Sequence, residues 1–255
     1  MRLRSEVAIV TGATAGIGAA IAGRFAAEGA SVAVTGRDEA RGARVAQTII
    51  EAGGSAAFFA ADLVDEHACA HLVDRATARF GSLTVLVNNA VMAGARDGAV
   101  GDLATDAWEN TFRINVTAPM WLCRAAIPAM LRAGHGAIVN ISSRAAEQAS
   151  PRLAAYIASK GALNALTRSL AVDYASRNIR ANTISPGYVL NERRDAGQTA
   201  EERRRREGMH LTRLGVADDV AHAAVYLASR EAEFVTGANL ALDGGSSAAR
   251  GLVLG

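Results

Sequence analysis

The segment VAIVTGATAGIG, from Val7 to Gly18, decides the fold. Its apolar first half, Val7–Thr11, is typical of a buried strand. Glycines follow at positions 12, 16 and 18, and a helical pattern begins at Ile17. Such glycines allow a tight turn and a close backbone approach, and a helix N-terminus offers oriented N–H groups to a phosphate. A strand, a glycine-rich turn and a helix in this order predict a dinucleotide-binding unit.

The same alternation of short apolar runs and longer helical patterns continues along the chain. The predicted strands are Val7–Thr11, Val32–Thr35, Ala56–Ala60, Val85–Asn88, Ala137–Ile141, Arg180–Ser185 and Asn239–Leu242. The predicted helices are Ile17–Glu28, Asp38–Ala52, Glu66–Phe80, Thr105–Leu131, Leu153–Ser176 and Ala217–Ser229. Nearly continuous apolar strands suit a sheet that is covered on both faces. We therefore predict an α/β fold: a single doubly wound Rossmann-type domain over residues 1–255, with a seven-stranded, mostly parallel sheet and helices on both faces.

Composition restricts the class of protein. The chain has 255 residues, of which half are hydrophobic, and 27 basic residues against 25 acidic ones give a net charge of +2. This balance lacks the basic excess of a nucleic-acid-binding protein. Only two cysteines, Cys69 and Cys123, are present, and no apolar run approaches the ~20 residues that span a bilayer. We expect a cytoplasmic protein with no nucleic-acid or membrane partner.

A single lysine, Lys160, stands among 26 arginines and follows Tyr156 by four residues on a predicted helix. This spacing places both side chains on one helix face. A phenol has a pKa of about 10, too high for proton exchange near neutral pH, and a nearby ammonium lowers it. Ser143 follows a predicted strand, where sites form in α/β folds. The three residues predict a general acid–base site in which Ser143 holds a substrate oxygen.

The end of the second strand bears on the choice of dinucleotide. A carboxylate there binds the ribose 2′-hydroxyl of NAD, whereas an arginine accommodates the 2′-phosphate of NADP. This chain has Gly36 and then Arg37, followed by Asp38. We expect NADP(H) to be preferred and NAD(H) to be possible.

These landmarks, in this order, resemble the short-chain dehydrogenase/reductase family over essentially the full chain. The matching motifs are Thr11–Gly18, Asp62, Asn88-Asn89-Ala90, Asn115, Ser143, Tyr156 with Lys160, Pro186-Gly187 and Asp243-Gly244-Gly245. The chain departs from the family pattern at Ala15, where a basic residue often favours NADP, and at Asn191, where a threonine is usual.

The resemblance implies a mechanism and a set of site residues. Tyr156 acts as general acid or base, Ser143 polarises the substrate oxygen and Lys160 binds ribose and lowers the tyrosine pKa. Asn115 completes the catalytic set by holding a water that links Lys160 to solvent. The implied cofactor-binding residues are Gly12, Thr14, Ala15, Gly16, Ile17, Gly18, Arg37, Asp62, Leu63, Asn89, Ala90, Tyr156, Lys160, Pro186, Gly187 and Val189.

The expected activity is hydride transfer between NADP(H) and a ketone or secondary alcohol. Two alternatives remain: a 3-oxoacyl-[acyl-carrier-protein] reductase, and a non-catalytic dinucleotide sensor on the same fold. The family commonly forms tetramers, so the resemblance implies a homotetramer, or a homodimer. The apolar tail Leu252-Val253-Leu254 is expected at an interface.

A long segment at about 190–215 contains no predicted strand and is expected to form a mobile lid with one short, charged helix. We expect the substrate pocket to be lined by residues 92–95, 144–153 and 188–190 together with this lid. The polar residues Arg144, Glu147, Gln148 and Arg152 favour a small or medium polar substrate. An anionic group on that substrate is a further hypothesis, with Arg144, Arg193 or Arg194 as its partner.

His67, Cys69 and His71, with Asp65 nearby, have a spacing that allows metal binding. They lie on a predicted peripheral helix without a second ligand cluster. We expect no metal site.

Overall fold

The structure is a computed structural model that describes residues 1–94 and 96–248, apart from the side chains of Glu192 and Arg193. Seven parallel strands form one sheet in the order β3-β2-β1-β4-β5-β6-β7. The strands are β1 (Val7–Val10), β2 (Ser31–Gly36), β3 (Ser55–Ala60), β4 (Val85–Asn88), β5 (Gly136–Ile141), β6 (Ile179–Pro186) and β7 (Asn239–Leu242). The α/β fold class is confirmed, and the sheet is parallel throughout.

Nine α-helices lie within the described residues. They are α1 (Gly16–Ala27), α2 (Glu39–Glu51), α3 (Glu66–Phe80), α4 (Thr105–Phe112), α5 (Ala118–Ala133), α6 (Ala154–Tyr174), α7 (Glu192–Asp195), α8 (Ala200–Glu207) and α9 (Ala217–Ala228). Two hydrophobic clusters cover the two faces of the sheet. One packs α1 and α9 around Phe25 and Val225, and the other packs α3 and α5 around Leu72 and Leu122. Fully apolar strands are thereby buried on both sides.

The predicted helix Thr105–Leu131 is interrupted. A π-helical turn, Arg113–Thr117, separates α4 from α5, and Pro119 occupies the first turn of α5, where its missing N–H is tolerated. A π-turn rotates the side chains after it relative to those before it. Asn115 lies in this turn and is buried.

The predicted lid contains two helices, α7 and α8, and so the expectation of one helix was wrong. Asn191 caps α7 by accepting a hydrogen bond from Arg194 N at 3.0 Å. Thr199 and Glu202 form a reciprocal capping box at the start of α8. An isolated parallel bridge between Val189 and Gly215 joins the two ends of the lid.

No helix in the described part of the chain is long and apolar enough to cross a membrane. The apolar tail Leu252-Val253-Leu254 lies outside the described residues, so its expected place at an interface stays a prediction.

Two glycines of α1 provide a matched test of close packing. A Cβ at Gly18 would lie 2.4 Å from the carbonyl oxygen of Gly12, whereas a Cβ at Gly23 meets nothing within 4 Å. Gly18→Ala is expected to destabilise the protein by about 2 kcal/mol, because backbone must move. Gly23→Ala is expected to stabilise it by about 0.5–1 kcal/mol through helix propensity. Urea unfolding measures both, and equal effects at the two positions would contradict the packing argument.

Candidate active site

The carboxyl ends of the parallel strands form a crevice where the strand order reverses beside β1. The glycine-rich loop between β1 and α1 lies at this point. Gly12 has a φ of +64°, and a Cβ there would approach Ala90 Cα to 2.9 Å. Backbone of this loop is therefore open to close approach by a ligand on one side and packed against β4 on the other.

Thr11 and Asn89 tie the glycine loop to the end of β4. The Thr11 hydroxyl accepts hydrogen bonds from Asn89 N at 2.9 Å and Ala90 N at 3.0 Å. Asn89 Nδ2 donates to the carbonyl oxygens of Thr11 and Gly12 at 2.8 and 3.2 Å. The buried Thr11 is a positioning residue that sequence reasoning missed, although its place at a strand end was visible.

Two cavities open on the crevice. The outer cavity, about 620 Å³, borders the segments that follow β2 and β3. Its lining is Gly12, Thr14, Gly36, Arg37, Asp38, Arg41, Ala61, Asp62, Leu63, Val64, Ala90, Val91, Met92 and Ile114. The inner cavity, about 190 Å³, contains the predicted acid–base residues. Its lining is Ile17, Asn89, Val91, Ala93, Ile141, Ser142, Ser143, Tyr156, Lys160, Pro186, Gly187, Tyr188, Val189, Leu190, Asn191 and Arg194. Val91 borders both cavities, which therefore adjoin.

Most predicted site residues line one of these cavities. Four do not: Ala15, Gly16, Gly18 and Asn115. Ala15 and Gly16 lie at the start of α1, and Gly18 packs against Gly12. These three residues contribute to the shape of the loop between β1 and α1.

At the outer cavity, Asp38 is occupied by its own helix. Its carboxylate accepts a hydrogen bond from Arg41 N at 2.9 Å and pairs with Arg41 Nε at 2.7 Å. The hydrogen bond from the backbone N–H of Arg41 and the charge of the Arg41 guanidinium lower the pKa of the Asp38 carboxyl. Arg37 is exposed beside it. A Cβ at Gly36 would lie 2.5 Å from Thr14 Cγ2, so a side chain at this position would require the Thr14 side chain to move.

At the inner cavity, Lys160 is almost completely buried, with 2% of its surface exposed. Its Nζ donates to the carbonyl oxygen of Ile141 at 2.8 Å and lies 5.8 Å from the centre of the Tyr156 ring. Ser143 follows β5 and accepts a hydrogen bond from Ala145 N at 3.1 Å. The end of β5 and one face of α6 thus bring the three predicted residues together.

Burial is the largest influence on the pKa values of Lys160 and Tyr156. Desolvation lowers the pKa of Lys160 to about 7 and raises that of Tyr156 above its ordinary value. Ser143 and the positive charge of Arg194 act on Tyr156 in the opposite direction but do not outweigh burial. Lys160 is not among the groups that shift the pKa of Tyr156 here, so the expected lowering of that pKa by Lys160 stays a prediction.

Asn115 connects the loop after β4 to α6. Its side chain accepts a hydrogen bond from Met92 N at 2.8 Å and donates to Met92 O and to Ser159 Oγ, both at 3.0 Å. The π-helical turn directs it into this position. These contacts make Asn115 a positioning residue, and its proton-relay role stays a prediction.

The four polar residues expected in the pocket are engaged elsewhere. Arg144 contacts Ser246, Glu147 accepts a hydrogen bond from Asn239, Gln148 donates to Ser247 and Arg152 pairs with Asp102. None of them lines the inner cavity. The expectation of a polar pocket built from these side chains was wrong.

His210 joins the lid to the segment after β6 and was not anticipated. The Tyr188 backbone N–H donates to His210 Nε2 at 3.1 Å, and His210 Nδ1 donates to the carbonyl oxygen of Arg206 at 2.9 Å. A backbone N–H only donates and a carbonyl only accepts, so these partners fix the neutral tautomer with the proton on Nδ1. His210 is a buried positioning residue between α8 and the inner cavity.

The residues considered for a metal have other roles. Asp65 caps α3 by accepting hydrogen bonds from His67 N and Ala68 N at 3.1 and 3.3 Å. Cys69 is buried, and burial raises the pKa of its thiol to about 11. Among the described residues, no three His, Cys, Asp or Glu side chains converge.

The lowered pKa of Lys160 has a measurable consequence for stability. Between pH 7 and 9 the unfolded chain holds a proton that the folded chain releases, so wild-type stability should rise with pH by up to about 1.4 kcal/mol per unit. Lys160→Met removes this group and should flatten the rise. Urea unfolding of both proteins at pH 7, 8 and 9 tests it, and parallel profiles would show that Lys160 keeps an ordinary pKa.

Comparison with known proteins identifies the family. A family model described as enoyl-(acyl carrier protein) reductase matches residues 12–247. The chain is 39% identical to the 2-(S)-hydroxypropyl-CoM dehydrogenase 3 of Xanthobacter autotrophicus over 253 residues, which covers 97% of this chain and 98% of the relative. It is also 39% identical, with the same coverage, to the NADP-dependent (R)-specific alcohol dehydrogenase of Lentilactobacillus kefiri.

Comparison with solved structures points to the same family. The crystal structure of a short-chain dehydrogenase/reductase from Burkholderia xenovorans superposes with a TM-score of 0.93 at 34% identity, covering 98% of this chain and 99% of the other. With similarity over nearly the whole length in both sequence and structure, the chain belongs to the short-chain dehydrogenase/reductase family and is an NAD(P)-dependent oxidoreductase acting on CH–OH groups.

Proposed function

We propose that this enzyme interconverts a ketone and a secondary alcohol of small to medium size, with NADP(H) as the preferred cofactor. The observation that carries the proposal is the inner cavity. Ser143, Tyr156 and Lys160 border it, together with Ile17 of α1 and the Pro186-Gly187 turn. Two alcohol dehydrogenases among the relatives support the reaction class.

The proton chemistry follows from the burial of the phenol. A pKa above the ordinary value keeps Tyr156 protonated at neutral pH, so the phenol carries the proton that a carbonyl oxygen receives in ketone reduction. Ser143 holds and polarises that oxygen, so charge that develops on it meets a hydrogen-bond donor. In the direction of alcohol oxidation Tyr156 accepts the proton. We assign to Lys160 the binding of ribose hydroxyls and assistance to the proton transfer, and to Asn115 the support of Lys160 from the neighbouring turn.

The residues fit a bound dinucleotide. The glycine loop has positive-φ glycines at 12 and 16, and a side chain at Gly18 would collide with backbone, so the loop is shaped for close approach by a pyrophosphate at the start of α1. Asp62 and Leu63 would hold the adenine end, and Asn89 and Val189 the nicotinamide end. When bound, the nicotinamide exchanges a hydride with the substrate carbon.

Preference for NADP(H) is supported by the outer cavity. Arg37 is exposed there, while Asp38 is engaged by Arg41 and by the start of α2. A guanidinium binds phosphate with charge-assisted hydrogen bonds, and no carboxylate occupies position 36. One relative, the alcohol dehydrogenase of L. kefiri, is named as NADP-dependent.

A 3-oxoacyl-[acyl-carrier-protein] reductase is the second candidate. The observation in its favour is helix α8, on which Arg204 and Arg205 are exposed and suited to an acidic carrier protein. A ketone panel that includes acyl thioesters, with and without a carrier protein, separates the two. We further expect a cytoplasmic homotetramer or homodimer, which sedimentation of the purified protein tests.

Tyr156→Phe removes the proton donor and keeps the ring. It should abolish turnover, with a loss of at least about 100-fold in kcat, because general acid catalysis contributes 10²–10⁴-fold. NADPH binding, followed by fluorescence titration, should persist. Retained binding without turnover separates an enzyme from a dinucleotide sensor, whereas unchanged turnover would remove the role assigned to Tyr156.

Arg37→Ala should raise KM for NADPH by about 10–100-fold, the effect of losing a hydrogen bond between charged groups. KM for NADH should change little. Arg44→Ala, on the helix α2 that follows Arg37 but outside the outer cavity, is the matched control and should leave both values as in the wild type. A wild type that prefers NADH, or an equal effect on the two cofactors, would refute the NADP(H) assignment.

A further inference from the structure

Four side chains form a cluster where the lid meets the inner cavity: Tyr188, Arg194, Asp195 and Arg206. The Tyr188 hydroxyl donates to Asp195 Oδ1 at 2.6 Å. The guanidinium carbons of Arg194 and Arg206 lie 4.5 and 4.4 Å from the centre of the Tyr188 ring. Arg206 also contacts the Tyr188 hydroxyl. One aromatic ring and one carboxylate therefore hold two cations in place.

Arg194 is the member of this cluster that borders the inner cavity together with Ser143 and Tyr156. Its Nε donates to Asp195 Oδ1 at 2.9 Å, and its Nη2 donates to the carbonyl oxygen of Val189 at 2.7 Å. Within the part of the chain that the structure describes, no hydrogen bond uses its Nη1. The guanidinium is thus fixed on one side, which reduces the entropy lost when the other side binds a ligand.

The charge of the cluster is not balanced within it. Two guanidiniums face one carboxylate, Asp195, whose side chain is only 9% exposed and whose pKa is held well below its ordinary value, chiefly by its hydrogen bond from Arg194. Glu202, a carboxylate on which the charge of Arg206 also acts, is engaged in the capping box with Thr199. The Arg194 side chain is 54% exposed, so its charge remains available to solvent and to the cavity.

Other cations near the site are less suited to meet a substrate. Arg144 points to Ser246 and does not border the inner cavity. Lys160 borders the cavity but is buried and bonded to the carbonyl of Ile141. Among the cavity residues whose side chains are described, Arg194 is the exposed cation. Its charge also reaches the Tyr156 hydroxyl, on which it acts electrostatically.

We propose that Arg194 binds an anionic group of the substrate, a carboxylate or a sulfonate, and so selects ketones and alcohols that carry such a group a few bonds from the reacting carbon. This inference rests on the proposed oxidoreductase function and names its substrate class. Arg194 is a specificity-determining residue. Tyr188 and Asp195 are positioning residues that orient its guanidinium, and a planar guanidinium suits a carboxylate or sulfonate because it can donate two hydrogen bonds at once.

The test compares 4-oxopentanoate with its methyl ester under saturating NADPH. Wild type should favour the acid by at least tenfold in kcat/KM, and added salt should weaken turnover of the acid alone. Arg194→Gln should lower kcat/KM for the acid by at least tenfold, mainly through KM, and should affect the ester far less. Arg194→Lys, which keeps the charge, should retain part of the preference. Arg203→Gln, on the lid and paired with Glu207, is the control.

Two results would overturn the role of Arg194. Equal losses on acid and ester would make it a support of the lid, and an effect confined to KM for NADPH would make the cofactor phosphate its ligand.

A binding measurement keeps this inference separate from the reaction. Calorimetric titration of the NADPH-saturated protein with hexanoate, and with 1-hexanol as the neutral counterpart, should give binding of hexanoate that Arg194→Gln weakens at least tenfold. Hexanoate binding without turnover of any ketone would refute the proposed reaction and support the anion site. Turnover of ketones with equal binding of hexanoate to wild type and variant would refute the anion site alone.

Discussion

The close approach of helix α1 to the end of β1 constrains the rest of the site. A Cβ at Gly18 would lie 2.4 Å from the Gly12 carbonyl oxygen and 2.5 Å from Asn89 Nδ2, so two backbone segments and the Asn89 side chain meet here with no room for another side chain. Asn89 is bonded to the loop and lies at the end of β4. The contact among Gly18, Gly12 and Asn89 therefore determines the position of α1 relative to the chain segment that follows β4. That segment includes Val91, which borders both cavities.

Desolvation is the second constraint, and it acts on chemistry more than on shape. Lys160 is buried and the neighbouring Tyr156 is partly buried, and desolvation disfavours the charged form of each. The polypeptide thus holds a protonated phenol beside an amine whose pKa is about 7. An arginine at position 160 would keep its proton under the same conditions, because its pKa lies far above the pH range in which the lysine titrates. This difference gives a physical reason for a single lysine in an arginine-rich chain.

The sequence predicted the sheet well because the signal for a buried strand is local. Each of the seven predicted strands agrees with an observed one to within one residue at either end. The acid–base residues were also found, since Tyr156 and Lys160 lie one helical turn apart. The polar residues after Ser143 were misassigned because their partners are distant in sequence: Arg144 contacts Ser246, and Glu147 bonds to Asn239. The contacts of Asn115 in the π-helical turn were missed for a related reason, since its partners Met92 and Ser159 are distant in sequence.

The lid is coupled to the cavity through a short segment after β6. Tyr188 bonds through its backbone to His210 and through its hydroxyl to Asp195, so both ends of the lid attach to one residue. Val189 adds a bridge to Gly215 and a carbonyl oxygen for Arg194. If α7 or α8 moves, the bonds of Tyr188 and Val189 must either break or move with the helix. The Pro186-Gly187 turn directly precedes these two residues. The segment after β6 that borders the inner cavity therefore also determines where the Arg194 guanidinium lies.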